Sequence, residues 1–146
     1  LEHFRTPDIR YKVPTQCGYE EVVSIEPFGE MVAKFDTGNS GLSVLHAENI
    51  EVKGKKISFN LNGESITTNL VKTYTVDTGG GEDERPAVNI DIEFAGTLYK
   101  DVMVGANDRT DMSSDVLLNR YTMNRMNVMV NPQRKHVVTT KYVLDK

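Results

Sequence analysis

Apolar and polar residues alternate along most of the chain, and this period of two is typical of β-strands with one buried face. The alternation predicts strands over residues 21–25, 31–35, 44–47, 50–53, 57–61, 65–76, 87–94, 98–104, 127–130 and 136–140. Asn62-Gly63 predicts a hairpin turn, because both residues tolerate the positive φ angles of such a turn. The pattern therefore predicts a mostly-β barrel or sandwich.

Two segments depart from the strand pattern. Residues 120–126 have the mixed apolar spacing that favours a short helix of about two turns. Residues 77–84 combine three consecutive glycines with acidic residues, which predicts a mobile loop. No internal repeat or linker stands out, so we expect one domain over residues 20–146, preceded by an N-terminal arm over residues 1–19.

Composition excludes several classes of protein. The chain has 146 residues with 17 Lys and Arg against 21 Asp and Glu, and its net charge of -4 argues against a nucleic-acid-binding face. No apolar stretch approaches the roughly 20 residues of a membrane span, and no signal peptide is visible. Cys17 is the single cysteine, which excludes an internal disulfide and favours a reducing compartment. These features predict a cytoplasmic protein, or a virion component if the chain is a phage structural protein.

The tripeptide Asp36-Thr37-Gly38 directly follows the predicted strand over residues 31–35. Aspartic peptidases present their catalytic carboxylate in this way, and the chemistry needs two carboxylates that share one proton. A second copy, Asp77-Thr78-Gly79, runs into the acidic glycine-rich segment, which would place a carboxylate poorly. We therefore take Asp36 as the meaningful copy, and a single loop per chain then predicts a homodimer or larger assembly.

Six segments carry a resemblance to a known family, in matching order and spacing across residues 20–140. They are residues 33–38, residues 43–47, Glu84-Arg85-Pro86, Asn107-Asp108-Arg109, Leu117-Leu118-Asn119-Arg120 and Val130-Asn131-Pro132. The chain resembles bacterial and phage retropepsin-like proteins that are often named ATP-dependent zinc proteases and are associated with an ATP-grasp ligase. The resemblance implies a retropepsin-like closed barrel with one short C-terminal helix.

The resemblance also implies roles for the residues of the loop. Asp36 would be the catalytic carboxylate, Thr37 would lock the two loops of a dimer together, and Gly38 would be the loop glycine. A hairpin from about Thr67 to Arg85 would be the flap over the substrate. Gly79, Gly80 and Gly81 would form its hinge or tip, and a plain surface loop is the alternative reading of these glycines.

The chain departs from the family pattern at two positions beside the loop. Asn39 stands where the family has Ala, and Asn119 replaces the Gly that packs against the catalytic loop in retropepsin folds. A side chain at position 119 would either crowd the loop or add a hydrogen bond to it. Arg120 is a candidate for an ion pair across a subunit interface, and Arg85 is a candidate either for a buried ion pair near the loop or for a solvated surface position.

The sequence does not support a zinc site or another cofactor. Zinc requires His, Cys or carboxylate ligands at short matched spacings, whereas His3, His46 and His136 lie far apart. A half-buried His46 with satisfied hydrogen bonds is preferred over a catalytic one.

Two functions follow from the sequence. The first is a dimeric aspartic endopeptidase that acts on a peptide or protein substrate. The second is a catalytically inactive retropepsin-fold module that binds a partner segment, for example as a phage structural or accessory component.

Overall fold

The structure is a computed structural model, and it describes residues 13–139. Within that range the chain forms eleven strands and one helix. They are β1 (Thr15–Glu26), β2 (Gly29–Phe35), β3 (Ser43–His46), β4 (Glu48–Lys53), β5 (Lys56–Leu61), β6 (Glu64–Asn69), β7 (Lys72–Thr78), β8 (Gly81–Phe94), β9 (Thr97–Asn107), β10 (Val116–Leu118), α1 (Arg120–Met126) and β11 (Val128–Lys135).

Six of these strands close into a barrel in the order β1-β2-β10-β3-β9-β8. The barrel closes because β8 also pairs with β1, from Ser24↔Glu93 to Glu26↔Asp91. Two further strands extend the sheet: β11 lies parallel to β1, and β7 lies antiparallel to β8 as the last strand. A mostly-β closed barrel with one short helix near the C-terminus is therefore confirmed.

The alternating pattern places the apolar core inside the barrel. Along the second half of β8, Val88, Ile90, Ile92 and Phe94 are buried, while the residues between them are more exposed. Because successive side chains of a strand point to opposite faces, the alternation gives this part of β8 one buried face. The other strands contribute the rest of the core, including Val23, Ile25, Ala33, Phe35, Leu45, Val104, Val116 and Leu118.

A second, three-stranded sheet of order β4-β5-β6 lies beside the barrel. Its β5–β6 turn confirms the hairpin predicted at Asn62-Gly63, since the two residues have φ angles of 53° and 80°. Asn62 Nδ2 donates to the carbonyl of Phe28 at 3.0 Å and so links this sheet to the β1–β2 turn.

The continuous strand predicted over residues 65–76 is wrong. The chain changes sheets at Leu70 and Val71: Leu70 N–H donates to Lys55, whereas Val71 N–H donates to Ala87. The segment therefore divides into β6 in the small sheet and β7 on the barrel. Its uniform content of Thr, Ile and Val favours strand throughout and does not mark the position of the switch.

The loop predicted over residues 77–84 is also wrong. β7 and β8 pair without interruption from Lys72↔Ala87 to Thr78↔Gly81, so only Gly79 and Gly80 lie in the turn. The predicted flap is accordingly a hairpin that begins at Lys72 rather than at Thr67, which belongs to β6. Pairing across the hairpin stabilises acidic and glycine residues that have low intrinsic strand preference.

The C-terminal part of the described chain holds one confirmed prediction and one correction. The helix predicted over residues 120–126 is α1, which ends at Asn127 in the left-handed conformation. β11 continues through Asn131-Pro132, which were expected to separate two strands, and Pro132 is tolerated because β11 is an edge strand. Residues 136–139 are not a strand, and residue 140 lies outside the described residues.

Residues 136–139 form a strap that is fastened to β1 by Glu21. The Glu21 side chain is fully buried, and its carboxylate accepts hydrogen bonds from the backbone N–H groups of Gly18, Val137, Val138 and Thr139. The Thr139 hydroxyl donates a further bond at 2.7 Å. Burial acts to raise the pKa of Glu21, but these bonds prevail and hold the pKa below its ordinary value.

The N-terminal side of the described range bears on the predicted arm. β1 begins at Thr15, five residues before the boundary expected at residue 20. The rest of the arm, residues 1–12 with His3, lies outside the described residues. Within residues 13–139, none of the helical structure is long and apolar enough to span a bilayer.

Candidate functional site

The Asp36 loop leaves the barrel at the end of β2. β2 and β10 are parallel, with Phe35 beside Leu118, so Asp36 and Asn119 emerge at the same edge of the sheet. The backbone N–H of Asp36 donates to the carbonyl of Leu118 at 3.1 Å, which extends the pairing by one residue. The sheet therefore fixes where the carboxylate stands.

The Asp36 carboxylate has few partners among residues 13–139. The side chain is half-buried, and within this range its Oδ1 accepts one hydrogen bond, from the backbone N–H of Gly38 at 3.1 Å. The Asp36 carbonyl accepts from the N–H of Asn39, which closes the turn. Thr37 and Gly38 are exposed at the loop tip. A carboxylate with this much unused acceptor capacity is available to bind a ligand or to exchange a proton.

Asn119 adds hydrogen bonds to the loop and does not crowd it. Its Oδ1 caps α1 by accepting from the N–H of Thr122 at 2.8 Å, and its Nδ2 donates to the carbonyl of Gly41 at 2.7 Å. Of the two outcomes considered from the sequence, the added bond is the one observed. The neighbouring Arg120 donates its backbone N–H to Asn39, while its side chain is exposed.

A cavity of about 530 Å³ opens beside Asp36, under the β7–β8 hairpin. Four aliphatic side chains form much of its wall: Leu42, Val44, Val76 and Leu117. Its polar lining includes Asp36, Asn39, Tyr74, Asp77 and Arg85. The site thus combines one accessible carboxylate with an apolar wall, an arrangement typical of binding pockets.

The predicted flap residues take different places in this site. Arg85 lines the cavity with a side chain only 21% exposed, and its Nε donates to the more exposed Asp83 at 3.1 Å. Arg85 thus lies between the two positions considered from the sequence, a buried ion pair and a solvated surface site, because its half-buried guanidinium pairs with a surface carboxylate. Gly79, Gly80 and Gly81 lie at the hairpin tip and do not line the cavity.

Tyr74 lines the cavity, and sequence reasoning missed it. Its ring lies over Gly105 so closely that a Cβ on Gly105 would overlap the tyrosine hydroxyl. That hydroxyl is buried beside Arg85, and no group of residues 13–139 meets it with full hydrogen-bond geometry. Burial raises the pKa of Tyr74, and the nearby charge of Arg85 opposes the rise. The alternation of Tyr74 and Val76 with polar residues could have indicated that both face inward from the hairpin.

The second Asp-Thr-Gly copy has a different structural setting from the first. Asp77 lies within β7 and pairs with Glu82 across the hairpin, so it does not end a buried strand as Asp36 does. It nevertheless lines the same cavity, which the sequence did not predict. Asp77 therefore lines the cavity from the hairpin, without the loop that holds Asp36.

His46 has both ring nitrogens engaged. Nδ1 accepts from the backbone N–H of Arg109 at 2.8 Å, so Nε2 carries the proton of the neutral ring and faces Glu48 Oε1 at 3.0 Å. His46 is therefore half-buried with both ring nitrogens engaged, as the sequence favoured. Among residues 13–139, no three His, Cys, Asp or Glu side chains are grouped so that they could hold a metal ion.

Comparison with known proteins supports the fold. The chain is similar to a solved structure from Legionella pneumophila, described as a protein of unknown function (DUF785), with a TM-score of 0.71 and 22% sequence identity. The match covers 86% of this chain and 98% of that one. No protein-family model matches the chain, and neither does any curated protein. At this identity the likeness concerns the fold alone.

Proposed function

We propose that the protein is an aspartic peptidase of the retropepsin type that hydrolyses peptide bonds as a homodimer. The observation that carries the proposal is the Asp36 carboxylate, which stands at a strand end with one hydrogen bond and opens on the 530 Å³ cavity. The resemblance of the flanking segments to retropepsin-like proteins supports the same conclusion.

The chemistry assigns the two Asp36 residues of a dimer to complementary roles. Two close carboxylates do not both ionise, so they share one proton and titrate as a pair. The ionised member takes a proton from the attacking water, and the protonated member polarises the peptide carbonyl. The apolar wall of the cavity would hold a substrate side chain beside the scissile bond.

The geometry of β7 suits an extended substrate. Among residues 13–139, no strand pairs with the outer edge of β7, and its residues Tyr74–Asp77 line the cavity. An extended peptide can pair with such an edge while its side chains alternate into and out of the cavity. The same edge favours the alternative function, an inactive module that binds an extended partner segment without cleaving it.

Substitution of the two Asp-Thr-Gly aspartates tests the proposal. Asp36→Asn removes the ionisable group with little change in shape and should lower kcat for peptide-library cleavage by about 10²–10⁴-fold, the usual contribution of acid–base catalysis. Asp77→Asn is the matched control, since it makes the same chemical change in the same cavity outside the loop. Equal cleavage by the wild-type protein and Asp36→Asn would refute the peptidase mechanism.

Mixing the chains tests the dimer. If each active site needs one Asp36 from each chain, random pairing in an equimolar mixture of wild type and Asp36→Asn leaves about one quarter of dimers with both carboxylates. The activity per total chain should then fall to about that fraction of the pure protein, whereas independent monomers would retain about one half. Binding of peptides with no cleavage by any variant would favour the inactive module.

A further inference from the structure

Both backbone polar groups of Gly41 are held by asparagine side chains. The Gly41 N–H donates to Asn39 Oδ1 at 2.8 Å, and the Gly41 carbonyl accepts from Asn119 Nδ2 at 2.7 Å. Gly41 lies in the returning limb of the Asp36 loop and lines the cavity. Two side chains that are far apart in sequence thus converge on one residue beside the candidate carboxylate.

Each asparagine is fixed in turn by further bonds. Asn39 Nδ2 donates to the carbonyl of Leu42 at 3.1 Å, and the Asn39 carbonyl accepts from the N–H of Arg120 at 3.0 Å. Asn119 is only 7% exposed, and its N–H donates to Ser43 Oγ at 2.9 Å. The bonds from the Asn119 backbone N–H and to its Oδ1 are buried, so this side of the network resists opening, whereas Gly41 itself is exposed.

The network reaches the candidate carboxylate through the backbone. Asn39 N–H donates to the Asp36 carbonyl, and Gly38 N–H donates to the Asp36 side chain. The positions of Asn39 and Asn119 therefore limit the positions open to Asp36. The Ala and Gly that stand here in the resembling family have no side-chain donor or acceptor and could not make these bonds.

We propose that Asn39 and Asn119 are positioning residues that clamp Gly41 and order the Asp36 loop within a single chain. The order of the loop then does not depend on the loop of a second subunit. The structural part of this proposal stands without catalysis, and its kinetic consequence rests on the proposed peptidase function. Small misplacements of a reacting group cost large factors in rate, so a pre-ordered loop would sustain kcat.

Asn119→Asp separates the clamp from the helix cap. Aspartate caps a helix as well as asparagine, so the bond to Thr122 N–H is kept. The donor to Gly41 is replaced by an oxygen that repels the carbonyl. We expect the variant to stay folded because the cap bond is kept. Without the bond to its carbonyl, Gly41 should separate more often from Asn39, so that Gly41 N–H exchanges with solvent about tenfold faster, as when opening becomes easier by one net hydrogen bond. Unchanged exchange at Gly41 would overturn the proposal.

Asn131→Asp is the matched control. Asn131 lies on β11, away from the loop; its Oδ1 accepts from the N–H of Gln133, and its Nδ2 donates to the side chain of Gln16 in a longer, exposed bond of 3.4 Å. This variant should leave Gly41 exchange as in the wild type. Faster exchange here as well would show that an added negative charge, and not the clamp, governs the loop.

Dilution and kinetics complete the test. Gly41 exchange in the wild type should be the same at concentrations where the protein is a monomer and where it is a dimer, and faster exchange in the monomer would overturn the proposal. If peptides are cleaved, Asn119→Asp should lower kcat by about tenfold or more with little change in KM. If no peptide is cleaved, the proposed function fails while the exchange measurement still decides the clamp.

Discussion

Glu21 lies on β1 and Asp36 directly follows its partner strand β2; both carry a carboxylate, but the surroundings of the two groups differ sharply. Asp36 is half-buried, accepts one bond from Gly38 and faces a cavity. Glu21 is fully buried and accepts bonds from three strap residues and from Gly18. Glu21 has no capacity left for chemistry and serves to hold the chain, whereas Asp36 keeps its capacity.

The buried Glu21 carboxylate also affects the pKa of Cys17 on the same strand. Burial, together with the nearby charge of Glu21, raises the pKa of Cys17 to about 12. The single cysteine is therefore a neutral core thiol with little reactivity. The buried carboxylate thus acts on a core side chain of its own strand, whereas the half-buried one faces a cavity.

Neutralising each carboxylate should lower the free energy of unfolding by very different amounts, and this is the largest expected effect. Glu21→Gln places an amide among N–H donors and should lower the free energy of unfolding by about 3 kcal/mol, since bonds to a charged group are worth about 1.5–3 kcal/mol each. Asp36→Asn should lower it by less than about 0.5 kcal/mol, as surface changes do. Urea unfolding of both variants checks the contrast, and equal losses would break it.

The glycine beside each carboxylate gives a second, smaller contrast. A Cβ on Gly18 would lie 2.5 Å from the carbonyl oxygen of Arg134, a backbone atom with little freedom to move. Gly18→Ala should therefore cost about 1–3 kcal/mol through overpacking. A Cβ on Gly38 would meet Asp36 Oδ1 at 3.4 Å, an ordinary contact, so Gly38→Ala should unfold close to the wild type. Thermal melting of the pair measures the difference.

The pH dependence of stability should isolate Glu21 in a third comparison. Because its pKa is lower in the folded protein than the ordinary 4.5, its contribution is fully present above that value and is lost as the pH falls through the lowered pKa. The difference in unfolding free energy between wild type and Glu21→Gln should therefore shrink on acidification below about pH 4.5. A difference that stays constant to low pH would show that Glu21 does not act as an anion.

Much of the fold was predictable from local pattern. The alternation around Ile90 and Ile92 predicted the second half of β8. The hairpin at Asn62-Gly63 followed from turn chemistry, and the helix over residues 120–126 followed from its apolar spacing. These signals are local because each depends on residues within one turn or one strand.

The candidate site was predictable in part. The position of Asp36 at the end of a strand followed from three residues and their context. The cavity did not, because its wall combines Leu42 and Val44 with Tyr74 of the hairpin and Leu117 of β10. Sequence alone did not reveal that Asp77 lies on the same cavity, or that 65–76 divides between two sheets.

The sequence by itself determined that the chain is mostly β and that one aspartate stands in a strand-to-loop turn. Both depend on short-range periodicity and backbone preference. Only the tertiary structure decided what surrounds each carboxylate. Glu21 is saturated by residues more than 100 positions away, and Asn39 and Asn119 meet at Gly41, because parallel pairing of β2 with β10 brings distant loops to one edge. Hydrogen bonds across such distances leave no periodic trace in the sequence.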